Sequence, residues 1–183
     1  VSFELGGHAP VIICDDVDVA AVAALCVKTK YRNSGQVCVA PTRFLVARSI
    51  LDAFEAEFTR ATAALTLGAG TEAGVDVGPM CSARRHDDVA ALVEDAIAHG
   101  AVATTGGASL TEELGGHFYA PTVLRDIPLE ARVLQEEPFG PVALLVAYDD
   151  LEEAVTIANN TPYGLAGYVF TKDMNRAQLL SER

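Results

Sequence analysis

Residues 11–47 read VIICDDVDVAAVAALCVKTKYRNSGQVCVAPTRFLVA. Val11–Cys14 is a short apolar run, too short for a helix, and reads as a buried strand. Asp18 can cap a helix that runs to about Tyr31, with Ala21, Val22, Leu25 and Cys26 on one face. A polar, glycine-bearing stretch from Asn33 to Ala40 then breaks the pattern. Arg43–Ala47 is the next apolar run and reads as a second strand. Strand, helix, strand over about 35 residues is the parallel crossover unit of α/β proteins.

The same alternation continues downstream. Ser49 is placed to cap a helix in which Ile50, Phe54 and Phe58 recur every fourth residue. Ser82 is placed to cap another, lined by Val89, Leu92, Val93 and Ala96 and ended by Gly100. Strands are expected at Val102–Thr105, Tyr119–Leu124, Val142–Tyr148 and near Gly167–Thr171. A helix is expected from Leu151 to about Asn159, and a last one from near Asp173. The expectation is one α/β domain over residues 1–183, a three-layer arrangement with a largely parallel sheet flanked by helices. No internal repeat, low-complexity tract or long linker interrupts it.

Composition narrows the function classes. The 183 residues are half apolar and lack Trp, so small aliphatic side chains must fill the core. Thirteen Lys and Arg against 25 Asp and Glu give a formal charge of −12. Nucleic-acid binding needs a positive stripe to displace counterions, and none is visible, so no nucleic-acid partner is expected. No apolar run approaches the ~20 residues that span a bilayer, so no membrane role is expected either. The four cysteines (14, 26, 38, 81) and four histidines (8, 86, 99, 117) are scattered, and no zinc-binding spacing emerges. Cys14 and Cys26 read as buried small side chains, and His86 and His99 as solvated helix positions. The absence of a leader pattern points to reduced thiols and a cytoplasmic location. The chain opens without Met and stops inside a helical pattern, which suggests a piece of a longer protein.

Three segments fit no packing pattern. Asn33–Ala40 is expected to be a tight turn that leaves Cys38 partly exposed near backbone N–H groups, which can stabilise a thiolate or an oxyanion. Phe3-Glu4-Leu5-Gly6-Gly7 sets a carboxylate in a short apolar strand before paired glycines, surroundings that suit a general base. Glu136-Glu137-Pro138-Phe139-Gly140-Pro141 puts two acids on a corner that both prolines stiffen. Each also has an ordinary reading. A lone cysteine is more often a small buried hydrophobe, a strand-edge glutamate faces water, and a proline corner is a solvated turn.

Taken together and in order, Glu4-Leu5-Gly6-Gly7, Gly35-Gln36-x-Cys38 and Glu136-Glu137-x-Phe139-Gly140-Pro141 resemble the three signatures of the aldehyde dehydrogenase superfamily. The 34-residue interval between Glu4 and Cys38 is the usual one for that family. Gly78-Pro79, Gly106-Gly107, Pro121-Thr122 and Tyr163-Gly164-Leu165-Ala166 extend the resemblance over essentially the whole chain. The resemblance implies oxidation of an aldehyde to a carboxylic acid with NAD or NADP as cofactor. Cys38 is then the nucleophile and Glu4 the general base. Leu5, Gly6, Glu137 and Phe139 lie at the cofactor, and no metal is needed. Lys30-Tyr31-Arg32-Asn33 looks most like the succinate-semialdehyde dehydrogenase group, in which an Arg six residues before the Cys receives the substrate carboxylate, here Arg32.

The resemblance also implies what is missing. The nucleotide-binding half, an upstream Asn that shares the oxyanion hole, and a C-terminal segment used in oligomer formation have no counterpart here. Gly68-Ala69-Gly70 is no substitute for a dinucleotide loop. The piece is expected to bind cofactor poorly, and the parent to be a homodimer or homotetramer. Position 8 is His where the family usually has Asn or Lys. Three rivals remain: a cysteine hydrolase, which would need a His partner; a reductase branch of the fold, which typically lacks the glutamate; and a folded piece that only presents an assembly surface.

Overall fold

β1 (Ala9–Ile13) and β2 (Pro41–Ala47) lie side by side in parallel, joined by α1 (Val19–Tyr31). The coordinates are a computed structural model that describes residues 1–183 apart from Leu129. Downstream come α2 (Leu51–Ala63), α3 (Ala83–Ala98), β3 (Val102–Thr105), the short α4 (Thr111–Leu114) and β4 (Thr122–Arg125). β5 (Val142–Tyr148), α5 (Leu151–Asn159), β6 (Tyr168–Phe170) and α6 (Met174–Ser181) complete the chain. The six strands form one sheet in the order β3-β4-β5-β2-β1-β6. Every pairing is parallel except β3 with β4. The sheet is therefore mixed but largely parallel, as the strand–helix alternation required.

Alternation along the central strands builds the layers. Val11 and Ile13, Phe44 and Val46, and Ala143 and Leu145 face α1 and α2, where Phe54 and Phe58 fill the gap. Ile12 and Leu45 face the other way, toward Ala154, Val155 and Leu180 of α5 and α6. Val142 and Leu144 of β5 meet Val89, Leu92, Val93 and Ala96 of α3 on that second side. Central parallel strands are buried on both faces, which explains why they read as continuous apolar runs. Among the described residues, no helix is long and apolar enough to cross a membrane.

Most expected boundaries hold within a residue or two. Asp18 accepts from the Ala21 N–H, and Ser82 from the Arg85 N–H, as cap residues should. Four expectations fail, each for a physical reason. The buried stripe of α1 is Ala23, Cys26, Val27, Lys30 and Tyr31, while Leu25 is 51% exposed. The helix is apolar nearly all round in its first half, so the pattern alone could not choose the stripe. Ser49 does not cap α2, because a 3₁₀ turn over Arg48–Ile50 runs straight into it. Residues 1–8 form no strand, and Phe3 and Leu5 are 74% and 56% exposed. His86 is buried rather than solvated, with Nε2 2.9 Å from the Ser109 hydroxyl and Nδ1 3.1 Å from Asp87.

The observed stripe of α1 has a direct consequence for stability. In the 183-residue chain, Cys26→Ser should cost about 1–3 kcal/mol, because it buries a hydroxyl in apolar surroundings. Leu25→Ser should cost under about 0.5 kcal/mol. Urea unfolding midpoints of the two variants check this; equal losses would contradict the observed face.

Candidate active site

The Cys38 segment departs from α1 through three consecutive left-handed residues, Asn33 (φ 52°), Ser34 (φ 55°) and Gly35 (φ 71°). Non-glycine residues rarely adopt this conformation, and it persists only where neighbours enforce it. Here Asn33 Nδ2 donates to the Gln36 carbonyl at 3.0 Å, and the Gln36 N–H donates to the Asn33 carbonyl at 3.0 Å. The Ser34 hydroxyl donates to the Gly78 carbonyl at 2.7 Å, and the Cys81 N–H donates to Gln36 Oε1 at 2.9 Å. A Cβ on Gly35 would collide with the Gly140 carbonyl. The turn is thus seated on the Pro-Phe-Gly-Pro corner. Cys38 emerges partly exposed, as expected of a thiol on such a turn. Cys14 and Cys26 are buried, and burial pushes the Cys26 thiol up to about 12.

The three odd segments converge at Gly6-Gly7. The Gly7 N–H donates to Glu137 Oε1 at 3.0 Å. A Cβ on Gly7 would strike the Cys38 carbonyl oxygen, and one on Gly6 would come within 2.8 Å of Glu137 Oε2. Tyr163 closes the same spot from behind, 3.3 Å from that Gly6 position. The glycine pair is therefore a strip of bare backbone between the Cys38 turn and the Glu137 carboxylate. This also explains the missing strand, since the Gly7 N–H is used on a side chain rather than on a strand partner.

The other candidate residues are placed less centrally. Glu4 is exposed, and the apolar surroundings expected around its carboxylate are not present in this chain. Leu5 is exposed beside it. Phe139 packs toward α3, with the Arg85 guanidinium 5.7 Å from its ring centroid. Arg32 lies in a 330 Å³ groove with Lys28, Val37 and Val39, the last two flanking Cys38 in sequence.

Behind Gly6-Gly7 lies a buried group of nitrogen bases that sequence reasoning did not identify. His8 is 2% exposed, with Nδ1 2.9 Å from the Thr42 hydroxyl. Burial, with the nearby charges of Arg43 and Lys30, lowers its pKa to about 3. It is a neutral, buried residue in the folded chain. Arg43 meets no carboxylate among the described residues. It donates from Nε to the His8 carbonyl, and from both Nη atoms to the carbonyls of Ile157 and Ala158, each at 2.9 Å. Those two carbonyls belong to the last turn of α5, the negative end of a helix dipole. Lys30 is fully buried, and its Nζ has no hydrogen-bond partner among the described residues. Burial lowers its pKa to about 7, opposed by the charge of Glu137. The only warning in the sequence was a Lys in the helix stripe two residues before Arg32.

A nicotinamide dinucleotide suits this arrangement. Glu137 Oε1 is engaged by Gly7, and Oε2 makes no hydrogen bond among the described residues, so one carboxylate oxygen is available to a ribose hydroxyl.

Comparison with known proteins agrees. A family model described as the aldehyde dehydrogenase family matches residues 1–183. A 4-(hydroxymethyl)benzenesulfonate dehydrogenase of Comamonas testosteroni is 49% identical over 183 residues. A succinate-semialdehyde dehydrogenase of Paenarthrobacter nicotinovorans is 41% identical over 182. All of this chain aligns with each, but it spans only 37% and 40% of their lengths. An aldehyde dehydrogenase of Mycobacterium tuberculosis complexed with NAD+ superimposes with a TM-score of 0.92 at 38% identity. That match covers 98% of this chain and 37% of the other.

Two predictions follow from this geometry. Gly7→Ala should cost about 1–3 kcal/mol, because backbone must move to admit the methyl group; urea unfolding measures it. For His8, the unfolded chain binds a proton near the ordinary 6.5, whereas the folded chain does so only near 3. Its contribution is intact above pH 6.5 and is lost as pH falls toward 3, at up to about 1.4 kcal/mol per pH unit. Urea midpoints between pH 7 and 5 should fall less steeply for His8→Asn than for the parent chain. Parallel slopes would show that His8 is protonated in the folded state.

Proposed function

Because this chain belongs to the aldehyde dehydrogenase family, we propose that it is the cysteine-bearing part of a longer NAD(P)-dependent enzyme that oxidises a semialdehyde such as succinate semialdehyde to the acid. The observation that carries this reading is the convergence at Gly6-Gly7, where the Cys38 carbonyl and the Glu137 carboxylate meet the same strip of backbone.

Cys38 Sγ, as the thiolate, attacks the aldehyde carbon to give a tetrahedral thiohemiacetal. The rigid turn holds Cys38 in place, and its backbone N–H would donate to the developing oxyanion. The chemistry the dinucleotide supplies when bound is hydride acceptance, which converts the Cys38 adduct to a thioester. Glu4 then takes a proton from water, the hydroxyl adds to the thioester carbon, and the acid leaves with Cys38 restored as thiolate. Glu137 would hold a ribose hydroxyl of the dinucleotide, with Phe139 packing beside it, and Leu5 and Gly6 would line its nicotinamide.

The exposure of Glu4, Phe3 and Leu5 supports a site completed by further parts of the enzyme. With apolar cover over Phe3 and Leu5, the Glu4 carboxylate would sit in the drier surroundings that suit a general base. Arg32 receives the distal carboxylate of the substrate, with two parallel N–H donors that a Lys cannot reproduce. The names of the two relatives agree in one respect: both substrates carry an acidic group remote from the reacting carbon. The active protein is proposed to be a cytoplasmic homodimer or homotetramer.

The test is steady-state reduction of NAD+ and NADP+ by the full-length enzyme, with succinate semialdehyde beside butanal. Cys38→Ala should abolish turnover. Glu4→Gln should lower steady-state kcat by about a hundredfold or more while a first-turnover burst of NADH survives. Arg32→Ala should raise KM for succinate semialdehyde by about tenfold or more and leave butanal nearly unchanged. Turnover by Cys38→Ala at the parent rate would remove the central claim. Equal effects of Arg32→Ala on both aldehydes would remove the semialdehyde assignment alone.

A further inference from the structure

The groove beside the Cys38 turn holds a second cation. Lys28 lies in the last turn of α1, four residues before Arg32, which caps that helix, and both line the same 330 Å³ groove. Its remaining walls are mainly apolar: Leu25, Val37, Val39 and Ala40, with Thr29 and Tyr168. Tyr168 is fixed there, its hydroxyl donating to the Val39 carbonyl at 2.6 Å.

Like charges four residues apart repel each other across one turn, while the carbonyl end of α1 favours a positive charge at both positions. The chain carries 25 acidic residues against 13 basic ones, and Arg60, Arg85, Arg132 and Arg176 each sit against a carboxylate. Lys28 and Arg32 meet none among the described residues. Two adjacent cations left free in an apolar groove, next to the residues that flank the nucleophile, are suited to an anion from outside the chain.

Four residues at a rise of 1.5 Å separate the two positions by about 6 Å along the helix. Arg32, at the helix end, lies nearer in the chain to Cys38. We propose that the groove holds two anion stations in series. Arg32 receives the carboxylate of a short semialdehyde, and Lys28 receives the carboxylate or sulfonate of a longer or ring-bearing aldehyde whose carbon frame lies along Leu25 and the valines. Lys28 is then a specificity-determining residue, and the ligand class widens from short semialdehydes to anionic aromatic aldehydes. This inference rests on the function proposed above.

The experiment uses the full-length enzyme with succinate semialdehyde, 4-formylbenzoate and benzaldehyde. Lys28→Met should raise KM for 4-formylbenzoate roughly tenfold and leave its kcat within about twofold. Succinate semialdehyde and benzaldehyde should both stay within about twofold of the parent values. Lys28→Arg should recover most of the loss, since it restores the charge. If Lys28→Met leaves 4-formylbenzoate unchanged, or weakens benzaldehyde equally, the second station does not exist and Lys28 is a solvated helix cation. In that outcome the dehydrogenase reading survives as long as turnover still depends on Cys38 and succinate semialdehyde still depends on Arg32. If the parent enzyme oxidises none of the three aldehydes through Cys38, the function itself falls and this inference with it.

Discussion

No side chain fits at Gly7, and much of the candidate site depends on that exclusion. The bare backbone lets the Cys38 carbonyl approach closer than any Cβ would allow, while the Gly7 N–H holds one oxygen of Glu137. Three segments far apart in sequence are thereby fixed at a single point. Gly35 repeats the device one turn away, where its missing Cβ lets the Cys38 segment sit on the Gly140 carbonyl. Glycine is used at both places for close approach, and at Gly35 also for a left-handed φ. A turn with three successive left-handed residues is costly by itself. Here the surrounding hydrogen bonds over-determine it, which lets a strained loop hold a reactive thiol in one place.

The polar interior behind that point follows from the same geometry. Arg43 is drawn into the sheet, and its donors are met by carbonyls at the end of α5 rather than by a counter-ion. A guanidinium in that position pins α5 to β2. It also adds to the positive field that, with burial, keeps His8 neutral. Lys30 stands in the same field with no hydrogen-bond acceptor among the described residues, and the nearby charge of Glu137 favours its charged form. An unpaired buried ammonium is unfavourable for folding, so its presence one turn before the Cys38 segment marks this as a region where stability is not the only demand.

Arg32 and Lys28 also lack a carboxylate partner among the described residues, but at the surface. Arg60 and Arg132 sit against carboxylates, and such exposed pairs contribute little to stability. At the C-terminal end of α1, Lys28 and the capping Arg32 share a groove instead. In a strongly acidic protein this local excess of positive charge would draw anions toward the Cys38 turn.

The sequence by itself determined the alternation of strands and helices and the caps at Asp18 and Ser82. These follow from local capping chemistry and from the period of apolar residues, both of which act over a few positions. It also marked Cys38, Glu4 and Glu137 as residues without a packing role, and the motifs around them carried the family resemblance. Tertiary structure alone decided which stripe of α1 is buried, because Ala21, Val22, Ala23 and Leu25 are almost interchangeable until a sheet lies beneath them. It decided that Phe3–Gly7 is not a strand, because the Gly7 N–H is claimed by a carboxylate 130 residues away. It decided that His8, Lys30, Arg43 and His86 are interior. Whether a charged side chain is buried depends on partners and volume supplied by distant segments, and no local pattern encodes them.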